Sequence, residues 1–254
     1  MPNIRVLIAA AGKGSRAGLP YPKTLHPVER LPILIRLLDR LRIVDERPTV
    51  VVSPAGRREI ERCISEHDRT AELVVQPAPT GMGDAVLQFR RAEAFEEAEH
   101  VLLVWGDIPF IAQQTVEAVC ARHLAEGSDF TFPTRHVNEA YTIVQRDAAG
   151  RVADLIETRE AGLTPEAGER DIGLFLFRPD PVFDVLGQRL DGGRGGDTGE
   201  HGFLYVVRHL VERGFRVEAL PVATEQELIS LNRLEDLSPM PRPKNVPGSH
   251  GHQD

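Results

Sequence analysis

Short apolar runs that alternate with segments of helical periodicity constrain this chain more than any other feature. The first run, Ile4–Ala11, has the length of a buried strand, and Pro32–Val44 repeats isoleucine and leucine on one helical face. The same order returns in Thr49–Ser53 and Arg57–Glu66, and His100–Trp105 is a further buried strand. Strands joined by crossover helices form parallel sheets, so the pattern predicts a mostly parallel, Rossmann-like α/β sheet with helices on both faces.

The second half of the chain is less regular. Periodicity predicts two further helices, over Gly83–Ala94 and Glu200–Arg213. Strand-like segments of the middle block are Phe130–Pro133, Thr142–Gln145, Val152–Glu157 and Asp171–Arg178. We expect this block to form a small β-rich subregion over the open edge of the first sheet.

Composition sets the limits of the domain and its partners. We expect residues 1–237 to form one domain and residues 238–254, which hold four prolines, to be a disordered tail. A net charge of -8 provides no basic surface for nucleic acid. The first apolar run is too short to span a membrane or to form a signal peptide, and the two cysteines match no metal or disulfide spacing. The sequence therefore predicts a cytoplasmic protein that binds neither membrane nor nucleic acid.

The loop after the first strand combines glycines with positive charge. Backbone N–H groups in such a turn can converge on phosphate oxygens, and Lys and Arg side chains add charge. An ordinary strand-to-helix turn is the alternative, because the spacing matches neither a P-loop nor a dinucleotide fingerprint. The candidate nucleotide-binding residues are Ala10, Ala11, Gly12, Lys13 and Gly14, followed by the cations Arg16 and Lys23.

An acidic residue ends the strand His100–Trp105. Asp107 follows Gly106, and Pro109 turns the chain away, so the carboxylate is expected at the ligand crevice beyond the strand ends. Mg²⁺ takes few protein ligands and fills its shell with water and phosphates, so one further oxygen suffices. Asn232 is the candidate for that ligand, although by itself it is better explained as a helix cap.

Together these segments resemble the sugar-phosphate nucleotidyltransferases, and most closely the uridylyltransferase domain of the bifunctional N-acetylglucosamine-1-phosphate uridylyltransferases. The resemblance covers nearly the whole chain to Leu237. Its most specific motif is the glycine-rich loop through Arg16 with the following Leu19–His26, which holds Lys23 at the family's separation. The stretch Trp105–Ile111 is similar to the family's aromatic-Gly-Asp-x-Pro-Leu-Ile motif.

The resemblance assigns a role to each candidate. Arg16 and Lys23 would contact the triphosphate of the nucleotide, with UTP favoured. Asp107 and Asn232 would bind Mg²⁺, and Gln76 and Gly81 would read the base. The acceptor, a phosphorylated sugar or polyol, would be held by Glu157, Asp171 and Glu200. The reaction would release pyrophosphate without a general base, because positioning and charge neutralisation supply most of the acceleration of phosphoryl-type transfer.

The departures from the family pattern concern the acceptor. They lie in Ala140–Ile143, Asp171–Gly173 and Gly199–Leu204, and the last segment loses a tyrosine and a threonine of the family motif while keeping Glu200, so N-acetylglucosamine 1-phosphate is not expected to be the best acceptor. A guanylyl- or cytidylyltransferase of the same fold remains an alternative. A catalytically silent, nucleotide-binding regulatory module is a second alternative, and a glycosyltransferase would require an Asp-x-Asp motif that the chain does not have at Asp107. The oligomeric state stays open.

Overall fold

The computed structural model describes residues 2–12 and 18–231. The expected tail, residues 238–254, lies outside them. The strands are β1 Ile4–Ala10, β2 Pro27–Val28, β3 Leu31–Pro32, β4 Thr49–Val52, β5 Glu72–Val75, β6 His100–Trp105, β7 Phe130–Val137, β8 Thr142–Arg146, β9 Val152–Glu157, β10 Gly168–Asp171, β11 Leu174–Phe177 and β12 Val217–Leu220. The helices are α1 Ile33–Leu41, α2 Arg57–Glu66, α3 Met82–Leu87, α4 Gln113–Glu126, α5 Pro179–Gln188 and α6 Val206–Glu212.

One large sheet organises the fold, with the strand order β10-β7-β11-β6-β1-β4-β5, and β12 also pairs with β7. The run β6-β1-β4-β5 is parallel throughout. Strands β11 and β10 run antiparallel to their neighbours, whereas β12 runs parallel to β7. The predicted mostly parallel α/β sheet is therefore confirmed, with an antiparallel part that belongs to the second half of the chain.

Helices cover both faces because the central strands are apolar on both sides. In β1, Leu7 packs into one buried cluster while Val6 and Ile8 pack into the other. Helices α3, α5 and α6 lie on the first face, and α1, α2 and α4 lie on the second. In β6, Val101 and Leu103 pack into the first cluster, and Leu102 and Val104 pack into the second. A parallel strand that is buried on both faces appears in the sequence as a continuous apolar run, and β1 from Val6 onward and β6 from Val101 onward are both such runs.

The middle block divides between two structures. Strands β7, β10 and β11 extend the central sheet instead of covering its edge, because β11 is buried along its whole length and pairs with β6. Within the middle block, β8 and β9 form a two-stranded sheet of their own. This hairpin turns at Asp147–Gly150 and packs against β10 and α6.

Three segments differ from the periodicity. The helix expected over Gly83–Ala94 ends at Leu87. Two 3-10 turns follow, Gln88–Arg91 and Glu93–Phe95, and the extended backbone of Ala92 separates them. The helix expected over Glu200–Arg213 begins only at Val206, because the backbone of His201 is bonded to Thr80 and Gly83. The expected strand Asp171–Arg178 is interrupted at Gly173, whose φ is 81°.

The helices of residues 2–12 and 18–231 include no segment that is both long and apolar enough to cross a lipid bilayer.

Candidate active site

A cavity of about 260 Å³ opens at the carboxyl ends of β1 and β6. The ends of these two strands form its floor, and α3, the end of β9 and a loop before α6 form its walls. In the loop before α6, residues 196–200 are exposed, and we call residues 195–204 the acceptor loop after the role that the resemblance would give to Glu200. The cavity therefore lies at the edge of the sheet where parallel α/β proteins bind ligands.

Tight packing of the strand ends sets the position of Asp107. The backbone N–H of Gly106 donates to the carbonyl of Ala9 at 3.0 Å, and a Cβ on Gly106 would lie 2.8 Å from that carbonyl oxygen. Only glycine allows β6 to stay this close to β1, and Asp107 follows directly at the cavity. Leu231 donates its N–H to the Asp107 carbonyl at 2.8 Å and is itself fully buried.

Lys23 and Asp107 form an ion pair inside this cavity. The Lys23 Nζ lies 2.5 Å from Asp107 Oδ2, and each side chain is about one-fifth exposed. Asp107 Oδ1 is buried and accepts no hydrogen bond from the residues that the structure describes. Two further cavity-lining groups, Thr24 Oγ1 and Trp105 Nε1, are also buried and have no partner in the described part of the chain. Buried polar atoms usually have partners, so this cluster of unsatisfied atoms is typical of a ligand site.

The glycine-rich loop is described only at its start. Ala10 and Gly12 line the cavity, whereas Ala11 packs into the core. The remaining candidates Lys13, Gly14 and Arg16 lie outside the described residues, as does Asn232.

The segment Gln76–Ala85, which we call the nucleotide segment, contributes Met82 to the cavity wall. Gln76 is buried, and its Nε2 donates to the Gly81 carbonyl at 3.1 Å. Gly81 has φ 116°, a backbone region that side chains disfavour, and a Cβ there would overlap the backbone of His201. Neither Gln76 nor Gly81 is among the cavity-lining residues. The structure therefore gives both a role in shaping the segment.

The three candidate acceptor residues lie in different environments. Glu157, at the end of β9, and the exposed Glu200 line the cavity. Asp171 is buried away from it, because its Oδ1 accepts from Thr142 Oγ1 at 2.5 Å and its Oδ2 accepts from the Gly173 N–H at 2.7 Å. Both carboxylate oxygens of Asp171 are thus bonded within the protein, and the bond to Thr142 joins the β8–β9 hairpin to the central sheet.

Another acidic residue, Glu160, organises the rim of the cavity. Its Oε2 accepts from the backbone N–H groups of Asp197 and Thr198, and its Oε1 pairs with Arg159 at 2.7 Å. Burial opposes ionisation of this carboxyl, but these hydrogen bonds lower the pKa of Glu160 overall. The sequence motifs did not indicate Glu160, which ties the end of β9 to the acceptor loop as a carboxylate.

Sequence reasoning also missed a buried polar network beside the cavity. Asp84 Oδ1 lies 3.0 Å from His201 Nδ1 and 2.7 Å from an Arg189 nitrogen. The Nε2 of His201 lies 3.0 Å from the hydroxyl of Tyr205, and burial raises the pKa of Tyr205 to about 12. Asp84 and His201 are 117 positions apart, so no local periodicity could pair them. The only available signal was a histidine within a motif that departs from the family pattern.

Comparisons with known proteins agree with the geometry. Residues 6–171 match the model of the MobA-like NTP transferase domain. The chain is 30% identical over 241 residues to the bifunctional protein GlmU of Leifsonia xyli subsp. xyli, covering 93% of this chain and 49% of that protein. It is 29% identical over 238 residues to the GlmU of Streptomyces avermitilis, covering 92% and 48% respectively. This chain therefore spans about half the length of these relatives.

A solved structure shares the fold. It is a Bacillus anthracis protein, described as a glucose-1-phosphate thymidylyltransferase, in complex with sucrose. The TM-score is 0.69 at 15% sequence identity, and the match covers 87% of each chain.

Proposed function

The chain belongs to the MobA-like NTP transferase family, and on that premise we propose that it is a Mg²⁺-dependent cytoplasmic enzyme that transfers UMP from UTP to a sugar 1-phosphate. The observation that carries the proposal is the Lys23–Asp107 pair in a cavity at the carboxyl ends of β1 and β6. A cation and a metal-ligating carboxylate are the two groups that a triphosphate with its metal ion requires.

The described residues fit a hard cation that keeps most of its shell for other ligands. They contain no group of three or more His, Cys, Asp or Glu side chains arranged to hold a metal. Asp107, however, offers one oxygen that has no hydrogen-bond partner among residues 2–12 and 18–231, and Mg²⁺ needs only one or two carboxylates beside substrate phosphates and water. We propose Asp107 and Asn232 as its protein ligands. Bound there, the ion would neutralise charge on the triphosphate and polarise the phosphorus under attack.

The side chains then act by position and charge. A phosphate oxygen of the acceptor would attack the α-phosphorus of the nucleotide, the bond to the β-phosphate would break, and pyrophosphate would leave with the electron pair. Lys23, released from Asp107, would donate to the phosphate oxygens, and Arg16 would add a second cation. A phosphate monoester is already anionic near neutral pH, since its second pKa is about 6, so no general base is assigned.

We propose that the base is uracil and the acceptor a hydroxyl-rich phosphate other than N-acetylglucosamine 1-phosphate. Glu157 and Glu200 line the cavity and can accept hydrogen bonds from hydroxyl groups. Gly202 and Leu204 line it where the resembled enzymes offer hydroxyls, and the carboxylate of Asp171 is bonded to Thr142 and Gly173. A guanylyl- or cytidylyltransferase is the second candidate, because the Gln76 amide nitrogen donates to Gly81 and not into the cavity.

A substrate matrix tests the proposal. The protein is incubated with Mg²⁺, each of UTP, dTTP, CTP, GTP and ATP, and each of glucose 1-phosphate, N-acetylglucosamine 1-phosphate, mannose 1-phosphate and glycerol 3-phosphate, and pyrophosphate is measured. We expect the highest kcat/KM with UTP and a sugar phosphate other than N-acetylglucosamine 1-phosphate. A preference for GTP would overturn the base, and the absence of pyrophosphate from every pair would overturn the transfer itself. Lys23→Ala should be inactive in the best pair.

A further inference from the structure

His201 joins two walls of the cavity through its backbone. Its N–H donates to the Thr80 carbonyl at 2.8 Å, and its carbonyl accepts from the Gly83 N–H at 2.9 Å. The acceptor loop therefore lies along the nucleotide segment as a short strand would. Gly81 and Gly83 make this possible, because a Cβ on either would overlap the backbone of residues 201 and 202.

The imidazole of His201 adds a third contact between the acceptor loop and the nucleotide segment, and we call these three contacts the junction. It is only 3% exposed, and its Nδ1 faces the Asp84 carboxylate, which is 10% exposed. A carboxylate is an acceptor only, so the bond requires a proton on Nδ1. Asp84 stands in the first turn of α3, and Arg189 on its other side balances its charge. A buried hydrogen bond to an ionised group contributes more than a neutral one, so this contact reinforces the two backbone hydrogen bonds between the segments.

The junction also separates two cavities. His201 and Glu200 line both the candidate active site and a neighbouring cavity of about 700 Å³. Met82, which lines the active site, lies between the bonded residues Thr80 and Gly83. Any shift of His201 would therefore move Met82 on the nucleotide side and Glu200 on the acceptor side at once.

We infer that His201 is a positioning residue that fastens the acceptor loop to the nucleotide segment through Asp84, so that binding of the nucleotide strengthens binding of the acceptor. The inference rests on the proposed function and names a residue that sets its two-substrate coupling. A nucleotide that orders Thr80–Asp84 also orders Glu200 and its neighbours, because three hydrogen bonds connect the two segments. The acceptor then meets a loop that is already in place, which is positive coupling between two sites.

Three substitutions separate the parts of this network. His201→Leu removes both ring contacts and leaves the Asp84 carboxylate with Arg189 alone. His201→Asn keeps a donor near the position of Nδ1 and is the conservative variant. Tyr205→Phe is the matched control, because it removes the hydroxyl at Nε2 and keeps the Asp84 contact.

Two measurements are made on each variant with the full chain. Hydrogen exchange at the Gly83 and His201 amides reports whether the junction is closed, and it needs no substrate. Steady-state kinetics gives the KM of the best acceptor in the substrate matrix at saturating nucleotide. The nucleotide Kd without acceptor comes from the emission of Trp105, the single tryptophan of the chain, which lines the cavity.

We expect His201→Leu to speed exchange at both amides and to raise the acceptor KM by about tenfold or more, as loss of a charged hydrogen bond implies. Its nucleotide Kd should change by less than about threefold. His201→Asn should recover most of both effects, and Tyr205→Phe should behave like the wild type. Wild-type exchange and an unchanged acceptor KM in His201→Leu would overturn the inference. If no substrate pair turns over, the proposed function fails. Unchanged hydrogen exchange in His201→Leu would show separately that His201 does not hold the two segments together.

Discussion

A buried histidine far from the candidate site should make the fold sensitive to acid. His123, near the end of α4, is fully buried, with Nδ1 2.8 Å from Thr131 Oγ1 and Nε2 3.0 Å from His100 Nδ1. Burial, reinforced by the adjacent imidazole of His100, lowers the pKa of His123 from 6.5 to about 4, although Asp129 and Glu218 act in the opposite direction. The folded protein therefore keeps this ring neutral at a pH where the unfolded chain protonates it.

The sign and size of the effect follow from linkage. Above pH 6.5 the ring is neutral in both states, so the contribution of His123 to stability is fully present. Between pH 6.5 and about 4 the unfolded chain binds more protons, so the free energy of unfolding falls as the pH falls. The drop in pKa from 6.5 to about 4 lowers the free energy of unfolding by about 2 kcal/mol between pH 8 and pH 5. At still lower pH the loss reaches about 3 kcal/mol.

Urea unfolding followed by circular dichroism at pH 8 and pH 5 measures this loss. Other groups titrate in the same range, so the informative quantity is the difference between the wild type and His123→Gln. We expect the variant to be less stable at pH 8 and to lose about 2 kcal/mol less than the wild type on acidification. His136→Gln, at an exposed histidine, is the matched control and should keep the wild-type pH dependence. Equal pH dependence in the wild type and His123→Gln would refute the reasoning.

Three further predictions concern the candidate site and the segment beside it. Asp107→Asn should lower kcat by roughly a hundredfold with little change in melting temperature, since a charge-stabilising group is lost; a wild-type rate would remove Asp107 from the mechanism. Lys23→Met should lower turnover yet tighten Mn²⁺ binding without nucleotide by about tenfold, because Asp107 loses its competing cation; weaker Mn²⁺ binding, measured by proton relaxation, would contradict the competition. Gly81→Ala should cost about 2 kcal/mol or more in thermal unfolding, because its Cβ would overlap His201, whereas Gly127→Ala, where the space is open, should cost about 1; equal costs would exclude the overlap as the cause.

The sequence could predict the parts of this fold that depend on local patterns. Strand β6 and helix α2 have the predicted bounds, because a run buried on both faces and an amphipathic helix each display their burial in consecutive residues. The position of Asp107 followed from the rule that strand ends meet at one edge. These inferences needed no knowledge of distant contacts.

The rest depended on contacts between remote residues. The helix expected from Glu200 begins at Val206, because His201 bonds to Thr80 and Gly83. The extension of the sheet by β11 required its pairing with β6, about 70 positions earlier in the chain. No periodicity in the sequence reports such pairings.

The same limit applies to the candidate site. Asp171 occupies a position that the resemblance assigns to the acceptor, yet Thr142 takes up one of its oxygens. A motif resemblance predicts the position of a residue in the fold. It does not predict what the side chain contacts, because that depends on residues elsewhere in the chain, such as Thr142 for Asp171.

The separate β8–β9 hairpin has a consequence for how such a protein can diversify. It supplies Glu157 to the cavity while the central sheet supplies Asp107, and the two sheets share no strand. Mutations at exposed positions of the hairpin break no backbone pairing of β1 or β6, the strands that carry the proposed chemistry. A library confined to residues 141–160 should therefore retain more folded, turnover-competent members than one of equal size spread over β1 and β6, and selection for new acceptors would begin there.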